Sequence, residues 1–368
     1  MIYRVIGLMS GSSLDGLDIA YVHFHENAGK WSFDIMEADC YPYTDKWLNR
    51  LQSATHLNAL DYQLLHADYG HYLGEQVNTF INKHQLHYQV QLIASHGHTT
   101  FHVPEKKMTG QLGDGAAIAA ETGLPVVSDL RALDVALGGQ GAPIVPIGDK
   151  LLLYEYDYCL NLGGIANLSA HDADNYVSFD ICSANRILDQ LVAQLGKAYD
   201  EDGKIAQSGA INKVLLDTLN ELPYYSADYP KSLANNFGNE VVLPIILSQN
   251  GNLEDNLRTY VEHIAIQIKR AVSQMQAGMR MENRVSKKML VTGGGAFNRF
   301  LIARIGYYLE APGIELVVPS ENIIKYKEAV VMGLMGVLRW REENNVLASV
   351  TGSLRNSVGG AIWMGAGA

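Results

Sequence analysis

The segment Met9–Asp18, MSGSSLDGLD, interleaves glycines, serine hydroxyls and two carboxylates. Phosphate is held well where several backbone N–H groups converge on it, which needs tight turns free of Cβ atoms. The run Gly11, Ser12, Ser13, Leu14, Asp15, Gly16, Leu17 and Asp18 has that makeup. Its aspartates, Asp15 first, offer hard oxygens for a magnesium ion, directly or through water. Two further glycine turns, Gly163–Gly164 and Gly293–Gly295, also follow apolar runs. A single turn of this kind reads more readily as a plain hairpin. Three at strand ends, one of them rich in serine and aspartate, point to a phosphate ligand.

Asp180 closes the apolar run Tyr176–Asp180, just before a helical pattern that begins near Asn185. A carboxylate at that junction can face a cleft as a general base, or can cap the following turn. Cys182 beside it has no paired histidine motif and reads as a small buried thiol. SDLRALD holds Asp129, Arg131 and Asp134. The planar fork of Arg131 suits a carboxylate ligand or an ordinary salt bridge, and Asp129 can orient it or accept from hydroxyls. SHGHTTFH sets His96 and His98 two apart on one strand face, a spacing compatible with zinc and a metal-assisted hydrolase. No H-E-x-x-H or C-x-x-C partner accompanies them, so hydrogen-bonded histidines are the better reading.

These residues need a frame. Ile2–Leu8 reads as a buried strand and Ile19–His25 as a second, with the first turn between them. Helical patterns fill Thr44–Tyr69 and Gly70–His84; Gln89–Ser95 reads as a strand, Asp114–Thr122 as a short helix and Leu124–Ser128 as a buried strand. The Gly/Pro-rich stretch Leu137–Pro146 is the best boundary. Beyond it the opening pattern recurs as Tyr158–Leu162, Gly163–Gly164, Ile165–Ala170, with Tyr176–Asp180 as a third strand. Helices cover Arg186–Leu195, Ile211–Leu219 and Leu253–Gln276, Lys288–Thr292 is a strand, and Tyr326–Glu342 is the last long helix. The expected division is one lobe over residues 1–138 and another over 139–368, with the C-terminal segment returning to the first. The tail GGAIWMGAGA has no account at this level.

Bulk properties agree with two globular lobes. The 368 residues suit two domains, and 48% hydrophobic with 18% charged residues allows sizeable cores. A net charge of −11 disfavours nucleic acid and anionic membrane as partners. Asp15 interrupts the N-terminal apolar run too early for a membrane span or signal peptide. Cys40, Cys159 and Cys182 are few and scattered, which fits a reducing cytosol rather than a disulfide framework. A homodimer is compatible with this composition and is not indicated by it.

Several nucleotide motifs are missing. There is no G-x-x-x-x-G-K-[ST] loop, no G-x-G-x-x-G after the first strand, and no protein-kinase signature set. What remains for an α/β chain with paired glycine hairpins is the architecture of actin, hexokinase and the 70-kDa heat-shock chaperones. Residues then become specific. Met9–Asp18, the long stretch Gly110–Pro146, NLGGIANLS (Asn161–Ser169), DEDGKIAQSG (Asp200–Gly209), GGGAFN (Gly293–Asn298) and ASVTGS (Ala348–Ser353) resemble the anhydro-N-acetylmuramic acid kinases in type and order, over nearly the whole chain.

The resemblance implies two actin-like (ribonuclease H-like) lobes with nucleotide and sugar in an interlobe cleft. It implies ATP and magnesium acting on 1,6-anhydro-N-acetylmuramic acid, a sugar released in cell-wall recycling. Hydrolytic opening of the anhydro bridge is coupled there to phosphorylation of O6, giving N-acetylmuramic acid 6-phosphate. By position, Asp180 matches the catalytic aspartate. Arg131 is placed to meet the lactyl carboxylate, with Ser10, His96, His98, Asp129, Asp134 and Asn185 about the sugar. Gly11–Asp18 and Gly163–Gly164 would hold phosphate. Asp202, Gly203, Gly293, Gly294, Gly295 and Asn298 would lie by the nucleotide.

The chain also departs from the family pattern. Asp180-Ile-Cys-Ser-Ala-Asn185 stands where the family commonly reads Asp-Thr-Gly-Pro-Gly-Asn, His98 replaces a usual glutamine, and Gly115 a usual proline. The altered loop keeps another anhydrosugar, such as levoglucosan, as an alternative substrate. A non-catalytic sugar or nucleotide sensor is a further alternative, against which the presence of Asp180 argues.

Overall fold

The structure, a computed structural model, describes all residues except 12–13, 173–174, 230, 235, 250, 279–286 and 366–368. Expected ligand contacts at Ser12 and Ser13 therefore lie outside the described residues. The chain forms two compact units, Met1–Leu152 with Tyr326–Ala368, and Leu153–Lys325. This division falls after Leu152 instead of after residue 138, and it assigns the C-terminal segment to the first unit.

The strands in chain order are β1 (Ile2–Ser10), β2 (Leu17–Asn27), β3 (Lys30–Tyr41), β4 (Leu92–Val103), β5 (Met108–Leu112), β6 (Val126–Ser128), β7 (Tyr158–Leu162), β8 (Ile165–Asp172), β9 (Asn175–Ser183), β10 (Lys287–Thr292), β11 (Ile314–Val317) and β12 (Ala361–Trp363). In the first unit the sheet runs β12-β6-β4-β1-β2-β3, with β5 paired to β4. In the second it runs β11-β10-β7-β8-β9. In both, a hairpin of the first two strands is extended by an antiparallel third strand. In both, the later strands add in parallel beside the first. This shared order, 3-2-1-4-5 with an antiparallel second strand, is the ribonuclease H-like arrangement expected from the sequence.

Alternation along β1 decides how the first unit is layered. Ile6 and Leu8 face a core shared with Leu65, Tyr69, Leu73 and Ile118. On the other face, Gly7 admits the helix Glu321–Trp340: a Cβ there would lie 1.9 Å from the Ala329 carbonyl oxygen. The second unit is built around the helix Leu253–Gly278. Leu257, Tyr260, Val261, Ile264, Ala265 and Ile268 recur on it at helical spacing and are fully buried.

Several elements differ from the sequence expectation. The helical region 44–84 breaks after Ser53, and the second helix, Ala59–Lys83, runs straight through Gly70. Gly70 serves close packing instead of marking a boundary, since a Cβ would lie 2.6 Å from the Asp114 carbonyl oxygen. The strand expected to end at Ser95 continues to Val103, because β5 pairs with its second half. β3, β11 and the helix Arg299–Glu310 had no expectation. No described helix is long and apolar enough to cross a membrane.

Candidate active site

In the first unit Leu14 lies between β1 and β2. Leu14 adopts φ 57° and its N–H donates to the Gly11 carbonyl at 3.3 Å. The Leu17 side chain is buried in the core and so is turned away from the nucleotide expected at this turn. Ser10 is also buried: its hydroxyl accepts from Tyr43 Oη at 2.7 Å and lies 3.0 Å from His98 Nδ1. Ser10 and His98, expected beside the sugar, thus bond to each other beneath the turn.

Asp18 is the second residue of β2, and its pKa is raised to about 6. Burial is the main cause; a hydrogen bond with Cys40 opposes it, and the charges of Asp15 and Glu328 add to it. Glu328, on the helix Glu321–Trp340, is likewise raised by burial, with Lys327 and Arg131 opposing and Asp15 adding. The sequence reading missed Glu328. Its signal was a lone carboxylate leading into the apolar run Ala329–Met332 of a helix. Lys327 beside it pairs with Asp149 at 3.3 Å, both buried.

Arg131 donates from Nε to His96 Nε2 at 2.8 Å and from Nη1 to the Gly141 carbonyl. His96 Nδ1 in turn donates to the Gly97 carbonyl at 2.8 Å. These bonds select one neutral tautomer, and burial, reinforced by Arg131, lowers the His96 pKa to about 3. Arg131 is itself lowered to about 10 by burial, with Glu328 and Asp134 opposing. Its Nη2 donates to no described residue.

Asp134 departs from its expected role. It is fully buried, and its carboxylate accepts from Gly141 N at 2.8 Å and from Thr351 Oγ1 at 2.7 Å. Oδ2 thus braces the loop Gly138–Gly141 and Oδ1 ties it to Thr351 of the C-terminal segment, with the side chain buried away from a ligand. Asp129 follows β6 in the left-handed region, φ 58°, and its pKa is raised by desolvation with His66 opposing.

In the second unit Asp180 lies on β9 beside a register shift in the β8–β9 ladder. Its Oδ2 accepts from Leu233 N at 2.9 Å and from Ser232 Oγ at 3.2 Å. Its carbonyl accepts from Tyr224 Oη at 2.8 Å, and its N–H donates to Lys231. Oδ1 takes no hydrogen bond from a described residue. Burial raises the pKa, and the two bonds to Oδ2 pull it partly back. Such a carboxylate is oriented by one oxygen and can receive a proton on the other. The bracing segment around Ser232 had no expectation from the sequence. Cys182 is fully buried and pushed up strongly by burial, as a core thiol.

The glycine turns of this unit converge through Asn185. Its Nδ2 donates to the Leu162 carbonyl at 2.9 Å, and its N–H to the Gly163 carbonyl at 3.1 Å. A Cβ on Gly295 would meet Asn185 Oδ1 at 2.9 Å and Leu162 Cβ at 2.7 Å, and one on Gly293 would meet Asn161 Oδ1 at 2.6 Å. Asn298 caps the helix Arg299–Glu310 by accepting from Leu301 N at 2.9 Å. The turn at Asp202 and Gly203, φ 57° and 71°, packs against it, since a Cβ on Gly203 would lie 2.4 Å from Asn298 Oδ1. Asn185 therefore clamps Gly163–Gly164 to Gly293–Gly295, and Asn298 joins Asp202–Gly203 to the same group.

Comparisons with known proteins point to one family. A family model described as anhydro-N-acetylmuramic acid kinase matches residues 3–365. The anhydro-N-acetylmuramic acid kinase of Photobacterium profundum is 33% identical over 380 residues, covering 98% of this chain and 99% of the relative. That of Haemophilus influenzae is 32% identical over 372 residues, covering 95% and 94%. Among solved structures, the activator of the 2-hydroxyisocaproyl-CoA dehydratase from Clostridium difficile with bound ADPNP aligns at a TM-score of 0.42 and 16% identity, covering 93% of this chain and 96% of that one.

Proposed function

The chain belongs to the anhydro-N-acetylmuramic acid kinase family, and from that membership we propose how its own residues carry the reaction. It is an ATP-dependent sugar kinase. The reaction adds water across the anhydro bridge of 1,6-anhydro-N-acetylmuramic acid and transfers the γ-phosphoryl group to O6. The products are N-acetylmuramic acid 6-phosphate and ADP, and the setting is peptidoglycan recycling in the cytoplasm.

Asp180 is the general base. Water attacks the anomeric carbon, its proton passes to Asp180 Oδ1, the C1–O6 bond breaks, and the released O6 meets the γ-phosphate in line. The observation that supports this role is the asymmetry of the carboxylate, with Oδ2 held by Ser232 and Leu233 and Oδ1 left open. Burial raises its pKa above the usual carboxylate value, with the bonds from Leu233 and Ser232 opposing, which is the direction that strengthens a base.

Arg131 receives the lactyl carboxylate on Nη2, because Nε and Nη1 are committed to His96 and Gly141. Gly11–Asp18 and Gly163–Gly164 hold phosphate, with Gly293–Gly295, Asn298, Asp202 and Gly203 at the nucleoside. Magnesium fits this chain. Asp15, Asp18 and Glu328 press on one another electrostatically, yet no three-ligand metal cluster exists among the described residues. One or two carboxylates, with waters and nucleotide phosphates, are what magnesium takes. Asp15 and Asp18 would hold it, and it would supply charge neutralisation at the transferring phosphoryl group.

The test is a product assay with ATP, magnesium and the anhydrosugar in ¹⁸O-labelled water, read by mass spectrometry within the first turnovers, ahead of exchange at the hemiacetal. The expected product is a sugar phosphate carrying the label at the anomeric position. Unlabelled phosphosugar would overturn the hydrolytic coupling, and no phosphosugar would overturn the substrate. Asp180→Asn is the control: it loses about 10²-fold or more in rate with ATP binding retained.

A further inference from the structure

A cavity of about 320 Å³ opens in the first unit, walled by His66, His96, Gln111, Asp114, Asp129 and Trp363. Its size is near the lower end of small-molecule sites, about 300–1,000 Å³, and suits a monosaccharide better than a nucleoside triphosphate. Only His96 and Asp129 had been expected near a ligand. The other walls come from elements the sequence did not connect to chemistry: the helix Ala59–Lys83, β5 and the C-terminal strand β12.

Three features of the lining point to a ligand. Gln111 Nε2 donates to Thr109 Oγ1 at 2.8 Å and to Thr99 Oγ1 at 3.3 Å. The Thr109 hydroxyl lies 3.4 Å from the Phe101 carbonyl and 3.1 Å from His102 Nδ1, either of which can take its proton and leave it an acceptor toward Gln111. Gln111 Oε1 is then buried without a donor. A buried acceptor left open in a cavity wall calls for a partner from outside. Second, Asp129 holds φ 58° and its carboxylate makes no hydrogen bond to a described residue. Backbone strain of this kind persists where the side chain's placement matters. Third, Trp363 is anchored by its indole N–H, which donates to Ser128 Oγ at 3.2 Å and leaves the ring as a wall.

The wall also depends on a departure from the family pattern. Gly115 stands where the family usually has proline. A Cβ there would lie 2.2 Å from Ser128 Oγ and 2.6 Å from Trp363 Cδ1. Glycine at this position is what lets Trp363 reach Ser128.

We infer that this cavity is a monosaccharide subsite: Gln111 Oε1 and the Asp129 carboxylate accept from hydroxyl and amide N–H groups of the sugar, and the Trp363 indole covers its C–H face. Both polar groups accept, so the subsite takes donors and turns away an anionic group such as the lactyl carboxylate. The neighbouring Asp114 caps the helix Gly115–Thr122, its Oδ1 accepting from Ala116 N at 2.9 Å. The subsite rests on the kinase reading above and names which part of the sugar is held here.

The test uses the full chain labelled with 5-fluorotryptophan, with the Trp363 ¹⁹F resonance assigned through Trp363→Phe. Titration with 1,6-anhydro-N-acetylmuramic acid is expected to shift that resonance. In steady state, Gln111→Leu and Gly115→Pro should each raise the sugar KM about tenfold or more, while the KM for ATP stays within about twofold. A stationary Trp363 resonance alongside normal turnover sinks the subsite and leaves the kinase intact. A shifting resonance without any turnover does the reverse. Unaltered sugar KM in both variants, with melting like the parent protein, also overturns the subsite.

Discussion

At the scale of single residues, the behaviour of Asp180 depends on a neighbour that touches no reacting atom. Ser232 donates to Oδ2 and so favours the charged carboxylate against the burial that raises its pKa. Removing the hydroxyl leaves Leu233 N–H as the sole donor and lets the pKa rise further. A base works deprotonated, so the acid limb of kcat/KM should move to higher pH in Ser232→Ala. The loss of rate should be largest at low pH, should shrink as pH rises, and should be rescued by Ser232→Thr. A pH profile displaced by the same factor at every pH would assign Ser232 to structure alone. Asp180 itself was legible, because an aspartate between an apolar strand and a helix is a recognisable junction. Its bracing partner, far along the chain, was not. Asp134 shows the opposite failure: residue type and motif suggested a ligand contact, while the fold turned the carboxylate inward to Gly141 and Thr351. Side-chain direction depends on tertiary placement, which spacing alone does not carry.

At the scale of elements, glycine turns were the readable part, because tight turns demand that residue. Elements whose purpose is packing were harder to read. Gly70 and Gly74 lie inside a continuous helix only because a second helix presses against them. β12 is too short to show a period, and it exists because β6 offers it an edge. The approach to β12 is held by Asn345, which is fully buried. It donates to the carbonyls of Met335 at 3.0 Å and Gly359 at 2.9 Å and accepts from Gly359 N at 2.7 Å. Asn345→Ala strands these groups without water. It should cost about 2–4 kcal/mol in urea unfolding, most of it from unpaired buried polar atoms. A cost below about 0.5 kcal/mol would mean that the C-terminal segment is anchored elsewhere. Trp363, carried on β12, should then also lose its place against Ser128.

At the scale of the whole molecule, two units share one strand order with negligible sequence likeness between them, and their chain make-up differs. Leu153–Lys325 is continuous, with its own five-stranded sheet and a core that includes Leu160, Leu168, Tyr260, Ile264 and Val291. The other unit is completed only by Tyr326–Ala368. That segment brings the helix against Gly7, the buried partner of Asp149 in Lys327, and β12 at the sheet edge. The two units should therefore behave unequally when cut apart. A fragment of residues 153–325 should fold alone and unfold cooperatively in urea, with a slope of about 2 kcal/mol/M, as a single domain does. A fragment of residues 1–152 should not, because the face of β1 that carries Val5 and Gly7 would be bare and Asp149 would be left uncompensated in the interior. Adding residues 326–368 to it through a flexible linker should restore a cooperative transition. A folded, cooperatively melting 1–152 fragment would show that the C-terminal segment is an accessory, and an unfolded 153–325 fragment would show that the second core cannot stand by itself.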